Sequence, residues 1–356
     1  MKQTKLRVLY ITRNGLLEPL GQSQVMNYLR GLSKDYKISL ISYEKMEDFN
    51  NKILLSRGQA DCNAYGIRWL PQLYRPYPRL IGLMFSMLRL IWIARREVTC
   101  QKICLIHARS YIPASIALAV NKLTAIPFVF DMRALWPEEL ITAGRINRGS
   151  FVHKVIIKIE RACLQKSSAV VSLTNAAVNY LKSKYPTELK NKKIAVIPTC
   201  ADLESFTPPV IKKKTYITHG CVGTILSGWF LKDWLSSWIN VVSLRDPKAH
   251  FEIITRDNTQ NLRLIIDPLN KLADRLTIES KLYKDMPNIV RRHDLSVMFF
   301  SQGLSKLGSA PTRLAEALGC GIPVVVNEGV GDVAEIVRKN NVGVIKMEVK
   351  RNDEPK

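Results

Sequence analysis

The chain has 356 residues, 47% hydrophobic and 23% charged, which rules out a mainly disordered polymer and allows two globular domains to bury a core each. Its formal net charge is +23, and the excess is uneven: residues 1–200 hold 31 basic and 12 acidic side chains, the remainder 22 and 18. Such a field implies an anionic partner, whether nucleic acid, lipid headgroups or a phosphorylated substrate, while seven scattered cysteines without C-x-x-C or His/Cys spacing exclude a disulfide framework and structural zinc.

The opening MKQTKLRVLYIT passes from basic residues straight into a β-branched run without a small-residue cleavage site, which predicts a strand over 6–12 rather than a signal peptide. Behind it, RNGLLEPLGQSQV brings Gly15 and Gly21 to a helix carrying Val25, Leu29 and Leu32. Backbone N–H groups at Gly21 and Gln22 fit a phosphate, and equally a plain helix entry. Further strands are predicted at 36–43 and 66–70. Residues 80–94, LIGLMFSMLRLIWIA, fall short of the roughly 20 apolar residues needed to span a bilayer. With Arg75, Arg79, Arg89, Arg95 and Arg96 beside Phe85, Leu88 and Trp92, the segment reads either as a buried crossover helix or as one lying in a membrane interface.

The next strand, 103–107, sets His107 and Arg109 at a strand end. The strand at 127–131 runs into FVFDMRALWPEEL, which gathers Asp131, Arg133, Glu138 and Glu139 around Pro137. A carboxylate beside an arginine at a strand terminus positions or deprotonates a substrate hydroxyl while the arginine holds a phosphate; capping of the next segment is the plainer role for Asp131. Strands at 168–174 and 193–198 close the first set, and 204–214, with two prolines and three lysines, reads as a linker.

A second set follows at 219–224, 250–255, 275–279, 294–300, 322–326 and 342–345. Alternation of such runs with helix-periodic segments predicts two doubly wound, Rossmann-like α/β domains, 1–203 and 215–356, with strand ends lining a shared cleft. In SKLGSAPTRLAEALG, Ser309, Pro311 and Thr312 open a helix whose positive end, with Arg313, forms a diphosphate cradle needing no metal. Glu316, one turn on, is placed to accept two ribose hydroxyls. The run 329–334 fits G-x-G-x-x-A, but only 22 residues follow Ala334, too few for a dinucleotide domain; no P-loop occurs.

Through PLGQSQV, IHARSYIPA, FVFDMRALWPEE, VIPTCADLESFTP and SKLGSAPTRLAEALGCGIPVVVNEGVGD, the sequence resembles glycosyltransferase family 4, the retaining GT-B enzymes, and more closely its bacterial surface-polysaccharide members. The resemblance implies that Glu316 holds the donor ribose, that Ser309 to Arg313 lie on the donor diphosphate with Gly21 opposite, and that Gly223 and Thr224 form the donor-side turn. It places Asp131 at the family's catalytic His or Asp, with Arg133 and His107 beside it and Arg109, Glu138 and Glu139 on the acceptor side. Three departures stand out. Gly308 occupies the position of the first of two paired glutamates, and Lys232 alone remains of a customary Arg and Lys. The chain also ends where relatives continue, which implies a shortened second domain.

The implied activity is retaining transfer from a nucleotide sugar to a lipid-linked or other glycan acceptor in capsule, exopolysaccharide or O-antigen synthesis. It needs no cofactor or metal, and acts in the cytoplasm at the anionic inner face of the plasma membrane. The rival readings are a nucleic-acid-binding protein, for which no aromatic-interleaved sheet or recognition helix is present, and a nucleotide-sugar epimerase of the same architecture.

Overall fold

The computed structural model describes residues 5–73, 79–210 and 215–346. Arg75, the lysines at 212–214 and the tail from 347 lie outside them, as do the side chains of Arg79 and Phe85. The chain divides into two compact units, one ending at Ile197 and the other beginning at Pro198.

The first unit contains β1 (Leu6–Thr12), β2 (Tyr36–Glu44), β3 (Arg68–Leu73), β4 (Leu105–Arg109), β5 (Phe128–Met132), β6 (Ala169–Ser172) and β7 (Lys193–Val196). They form one parallel sheet in the order β3-β2-β1-β4-β5-β6-β7. The second unit contains β8 (Thr218–Val222), β9 (His250–Ile254), β10 (Leu276–Glu279), β11 (Leu295–Met298), β12 (Val324–Asn327) and β13 (Gly343–Lys346), again all parallel, in the order β10-β9-β8-β11-β12-β13. Each unit is thus doubly wound: the chain leaves its first strand in one direction, then crosses back and continues the other way. Every strand expected from the β-branched runs is present.

Strands covered on both faces become nearly continuous apolar runs, and successive side chains enter opposite cores. β12 shows this directly. Val324 and Val326 pack with Met298, Leu314 and Val333 on one face, while Val325 joins Val297, Phe299 and Phe251 on the other. In the first unit Tyr10, Leu40 and Trp69 share a core with Leu16, Val25 and Leu29 from the segment after β1.

The helix Arg79–Cys100 crosses from β3 to β4 and buries Leu90, Ala94 and Val98, so the crossover reading describes its inner face. Its outer face carries Leu88 and Trp92, 61% and 60% exposed, among Arg89, Arg95 and Arg96. Among the described residues no helix is long and apolar enough to cross a membrane. All seven cysteines are free; Cys62, Cys163, Cys221 and Cys320 are buried, whereas Cys100, Cys104 and Cys200 are exposed rather than in a core.

Candidate active site

In an open parallel sheet, ligands bind beyond the carboxyl ends of the strands where the winding reverses. In the first unit that point lies between β1 and β4. Register brings Tyr10 beside His107, Thr12 beside Arg109, and Arg109 beside Asp131. His107 and Arg109 stand two residues apart within β4 and so share one face of the sheet.

The His107 Nε2 lies 3.1 Å from Asp131 Oδ2, and its ring stacks on Tyr10 at 4.5 Å between centroids. Arg133 Nη1 is 3.5 Å from Asp131 Oδ1, and Arg109 Nη1 is 3.9 Å from Oδ2. Arg109 also donates from Nη2 to Gln24 at 2.9 Å. Burial alone raises the Asp131 pKa, but the His107 hydrogen bond and the charges of Arg133 and Arg109 outweigh it and hold the carboxyl below its usual range. One carboxylate therefore faces two guanidinium groups. Arg109 Nε and Arg133 Nε and Nη2 are buried without a hydrogen-bond partner among the described residues. Such donors favour an added anion, because each unsatisfied buried group costs about 1–3 kcal/mol. At the end of β4, Ser110 adopts φ 77° and donates its N–H to the Asp131 carbonyl at 2.8 Å, a strained backbone of the kind that gathers at functional sites.

The loop after β1 is fixed by Glu44, at the end of β2. Its buried carboxylate accepts from the N–H groups of Leu16 (2.8 Å) and Leu17 (3.1 Å) and from Ser42 Oγ (2.6 Å). Gly21 packs its Cα against the Gly15 carbonyl and Leu16, where any Cβ would collide, so its glycine character comes from close backbone packing. The Gln22 N–H already donates to the Glu18 carbonyl at 3.0 Å. The helix there widens into a π turn, Gln22–Met26, which carries Gln24 to Arg109.

Glu138 lies in the first turn of the helix Trp136–Thr142 with its carboxylate buried and filled: Arg148 pairs with it, Tyr180 donates at 2.8 Å, and Lys184 stands 3.8 Å away. Lys184 also reaches Glu160 at 3.4 Å, and Glu160 accepts from Tyr111 at 2.7 Å and from Tyr185. Glu138 therefore ties its own helix to the helix Asn175–Lys184 and to the turn bearing Arg148, rather than presenting a free carboxylate to an acceptor. Glu139 is half-buried in the same turn.

In the second unit the winding reverses between β8 and β11. Directly after β8, Gly223 adopts φ 119°, and a Cβ built on it would run into the Arg313 guanidinium. Arg313 lies against the Gly223 Cα and 5.1 Å from the centre of the Phe300 ring, and its Nη1 is buried without a hydrogen-bond partner among the described residues. Burial lowers its pKa, opposed by Cys221 and Glu316. The helix Thr312–Gly319 begins here with Pro311, not Ser309 or Thr312, as its N-cap, so no side-chain oxygen caps its positive end from that position. Glu316, one turn on, is buried, which raises its pKa against the pull of Arg313 and a hydrogen bond from Tyr283. Burial and Glu316 in turn push the Tyr283 hydroxyl up to about 12. Thr224 and Lys232 are exposed, Lys232 as the first residue of the helix Lys232–Arg245. The Gly331 N–H of the G-x-G-x-x-A turn donates to the Lys306 carbonyl at 2.9 Å, closing that turn on the protein itself.

A family model described as Glycosyltransferase Family 4 matches residues 22–205, more than half of the chain. The chain belongs to glycosyltransferase family 4. Comparison with curated proteins gave no match. Among solved structures, a glycosyltransferase from Rickettsia africae is similar at 14% identity and TM-score 0.69, covering 98% of this chain and 86% of that one. Anabaena HepE, in complex with UDP and glucose, is similar at 14% identity and TM-score 0.64, covering 96% and 86%. A Listeria monocytogenes structure named as a UDP-N-acetylglucosamine 2-epimerase is similar at 11% identity and TM-score 0.57, covering 96% and 84%. At these identities the likeness establishes the fold, two Rossmann-like domains of the GT-B type.

Within this family-4 fold, several residues that the sequence did not single out shape the two strand-end sites. Asp257, two residues past Thr255, accepts from the N–H groups of Ile225 and Leu226 and so pins the turn after Gly223. Asn327, at the end of β12, bonds both the N–H (2.8 Å) and the carbonyl (2.9 Å) of Phe300, fixing the ring on which Arg313 lies. Lys306 is a buried cation in the second unit, its Nζ 2.9 Å from the centre of the Trp229 ring. Asp257 and Asn327 were signalled only by position just past an expected strand, and Lys306 only by lying within the SKLGSAPTRLAEALG run. Among the described residues no group of three or more His, Cys, Asp or Glu side chains converges as metal ligands would.

Proposed function

We propose that this family-4 chain transfers a hexosyl group, with retention, from a nucleotide-diphosphate sugar to a lipid-linked glycan used in cell-surface polysaccharide synthesis, acting peripherally at the cytoplasmic face of the membrane. The observation that carries the donor half is Arg313: a half-buried guanidinium against a glycine at the winding reversal, with its Nη1 buried and unfilled. A diphosphate supplies the missing acceptor oxygens in the fork geometry that arginine favours. The similarity to a structure holding UDP and glucose supports the same ligand class.

In this reading Arg313, the positive end of Thr312–Gly319 and Lys232 stabilise the departing diphosphate, while Gly223 and Thr224 shape the turn beside it. Glu316, oriented by Tyr283, takes the ribose. The bond from the anomeric carbon to the diphosphate oxygen breaks, and a bond to the acceptor oxygen forms on the same face. The acceptor proton leaves to the departing phosphate. Asp131, already ionised and held by His107, Arg109 and Arg133, is a poor proton acceptor; it orients His107 and balances the arginines that take an acceptor's anionic group.

The test is calorimetric titration with UDP-, GDP- and dTDP-sugars, followed by turnover with a lipid-linked acceptor. Near-normal turnover in both Glu316→Ala and Asp131→Ala, with folding intact by circular dichroism, refutes the assignment. The structural likeness to the Listeria protein makes epimerisation the second reading; a changed sugar formed without any acceptor would select it.

A further inference from the structure

In the first unit the helix Tyr111–Thr124 packs on β4 and β5, with Arg79–Cys100 and Phe151–Lys166 both packed against it. The central helix is largely buried, and the outer surfaces of its neighbours are not. On Phe151–Lys166, Phe151 is 81% and Val152 52% exposed, and Val155 and Ile159 continue an apolar ridge at four-residue steps. Lys154 and Lys158, on the same four-residue step, form an exposed row beside that ridge, with Lys166 further along. On Arg79–Cys100 the exposed Leu88 and Trp92 lie among Arg89, Arg95 and Arg96, and Arg96 stands 5.6 Å from the Trp92 ring centre. The only acidic residues of the two helices, Glu97 and Glu160, are both buried.

We infer that these two helices form a docking face for an anionic lipid bilayer. Large apolar side chains interleaved with cations, and no exposed acid, match a surface whose headgroups are negative and whose acyl boundary lies just beneath. A second copy of the chain fits less well, since a two-fold contact would set each lysine and arginine row against its own like. Because Lys166 leads directly into the start of β6, Phe151–Lys166 runs antiparallel to the strands and its apolar tip lies at their carboxyl ends. That is the end carrying His107, Asp131 and Arg133. Docking through Phe151 thus brings the lipid surface to the edge from which a membrane-held acceptor is taken. This last step rests on the acceptor reading above; the docking itself does not.

The experiment is co-sedimentation of the full chain with phosphatidylcholine vesicles, with and without phosphatidylglycerol, at low and high salt. Wild-type protein partitions onto the phosphatidylglycerol vesicles and is released by salt. Lys154→Ala with Lys158→Ala weakens partitioning about 25-fold, at roughly fivefold per cation. Phe151→Ser with Val155→Ser weakens it about tenfold, because the apolar tip no longer inserts. Both double variants keep the wild-type melting temperature and transfer rate with a water-soluble acceptor. Wild-type protein that ignores anionic vesicles, or partitioning unchanged in both variants, overturns the inference. So does a dimer in size-exclusion chromatography that these variants dissolve, which would make the face a protein contact. A chain that binds vesicles but transfers no sugar overturns the transferase reading instead.

Discussion

Gly223→Ala separates a donor role for Arg313 from a packing role. At φ 119° an L-residue is strained, and its Cβ would displace the guanidinium lying over the glycine. The strain alone costs about 1–3 kcal/mol, read as a lower melting temperature. Moving Arg313 also removes charge-assisted hydrogen bonds to the diphosphate, each about 1.5–3 kcal/mol, so the donor dissociation constant rises roughly 10- to 150-fold. Arg313→Lys leaves the backbone untouched and tests the second effect alone, because an ammonium cannot reproduce the fork. Calorimetric titration with the preferred nucleotide sugar reads the affinity, and a thermal melt of the same preparation reads the strain. Donor saturation should raise the wild-type melting temperature, since a ligand that binds only the folded state stabilises it. If both variants bind the nucleotide sugar like wild type while Gly223→Ala still melts early, Arg313 is a packing residue on Phe300 and the donor reading fails.

Asp131→Asn leaves Arg109 and Arg133 in a buried site without their shared counter-ion, and chemical denaturation should show a loss of about 3–5 kcal/mol. Glu138→Gln should cost about 1–3 kcal/mol by loosening Tyr180, Lys184 and Arg148, with the acceptor KM unchanged; a large KM effect would return Glu138 to the acceptor side. Burial holds His219, which accepts a hydrogen bond from Trp238 at 3.2 Å, below its ordinary pKa of 6.5. The unfolded chain therefore takes up a proton that the folded one refuses, and stability should fall as pH drops below 6.5. Denaturant midpoints measured from pH 7 to 5 should flatten in His219→Phe.

The strands were readable because a strand buried on both faces must be nearly all apolar, which leaves runs such as VVV in β12. Their ends were less so. β4 runs to Arg109 rather than stopping at His107, because pairing with both β1 and β5 carries the ladder two residues further than the apolar run. The candidate residues in SKLGSAPTRLAE were legible as a helix start followed by a carboxylate. The contact of Arg313 with Gly223 was not, since nothing local ties positions ninety apart. Glu138 looked available for the same reason: the groups that occupy it, Tyr180 and Lys184, come from a helix some forty residues on. Gly21 was read as fitting a phosphate or a plain helix entry, and neither reading showed the close packing of two backbone segments that requires a glycine there.

The wide turn at Gln22–Met26 amounts to one spare residue in an otherwise α-helical stretch from Pro19 to Leu32. Val25, Met26 and Leu29 are anchored in the core, so deleting that spare residue would rewind the segment before them by about 100° and 1.5 Å. Gln24 would swing off Arg109, and Gly21 would lose its seat on Gly15. Chain length across this short stretch, more than any single side chain, sets the aim of the first unit's basic cluster.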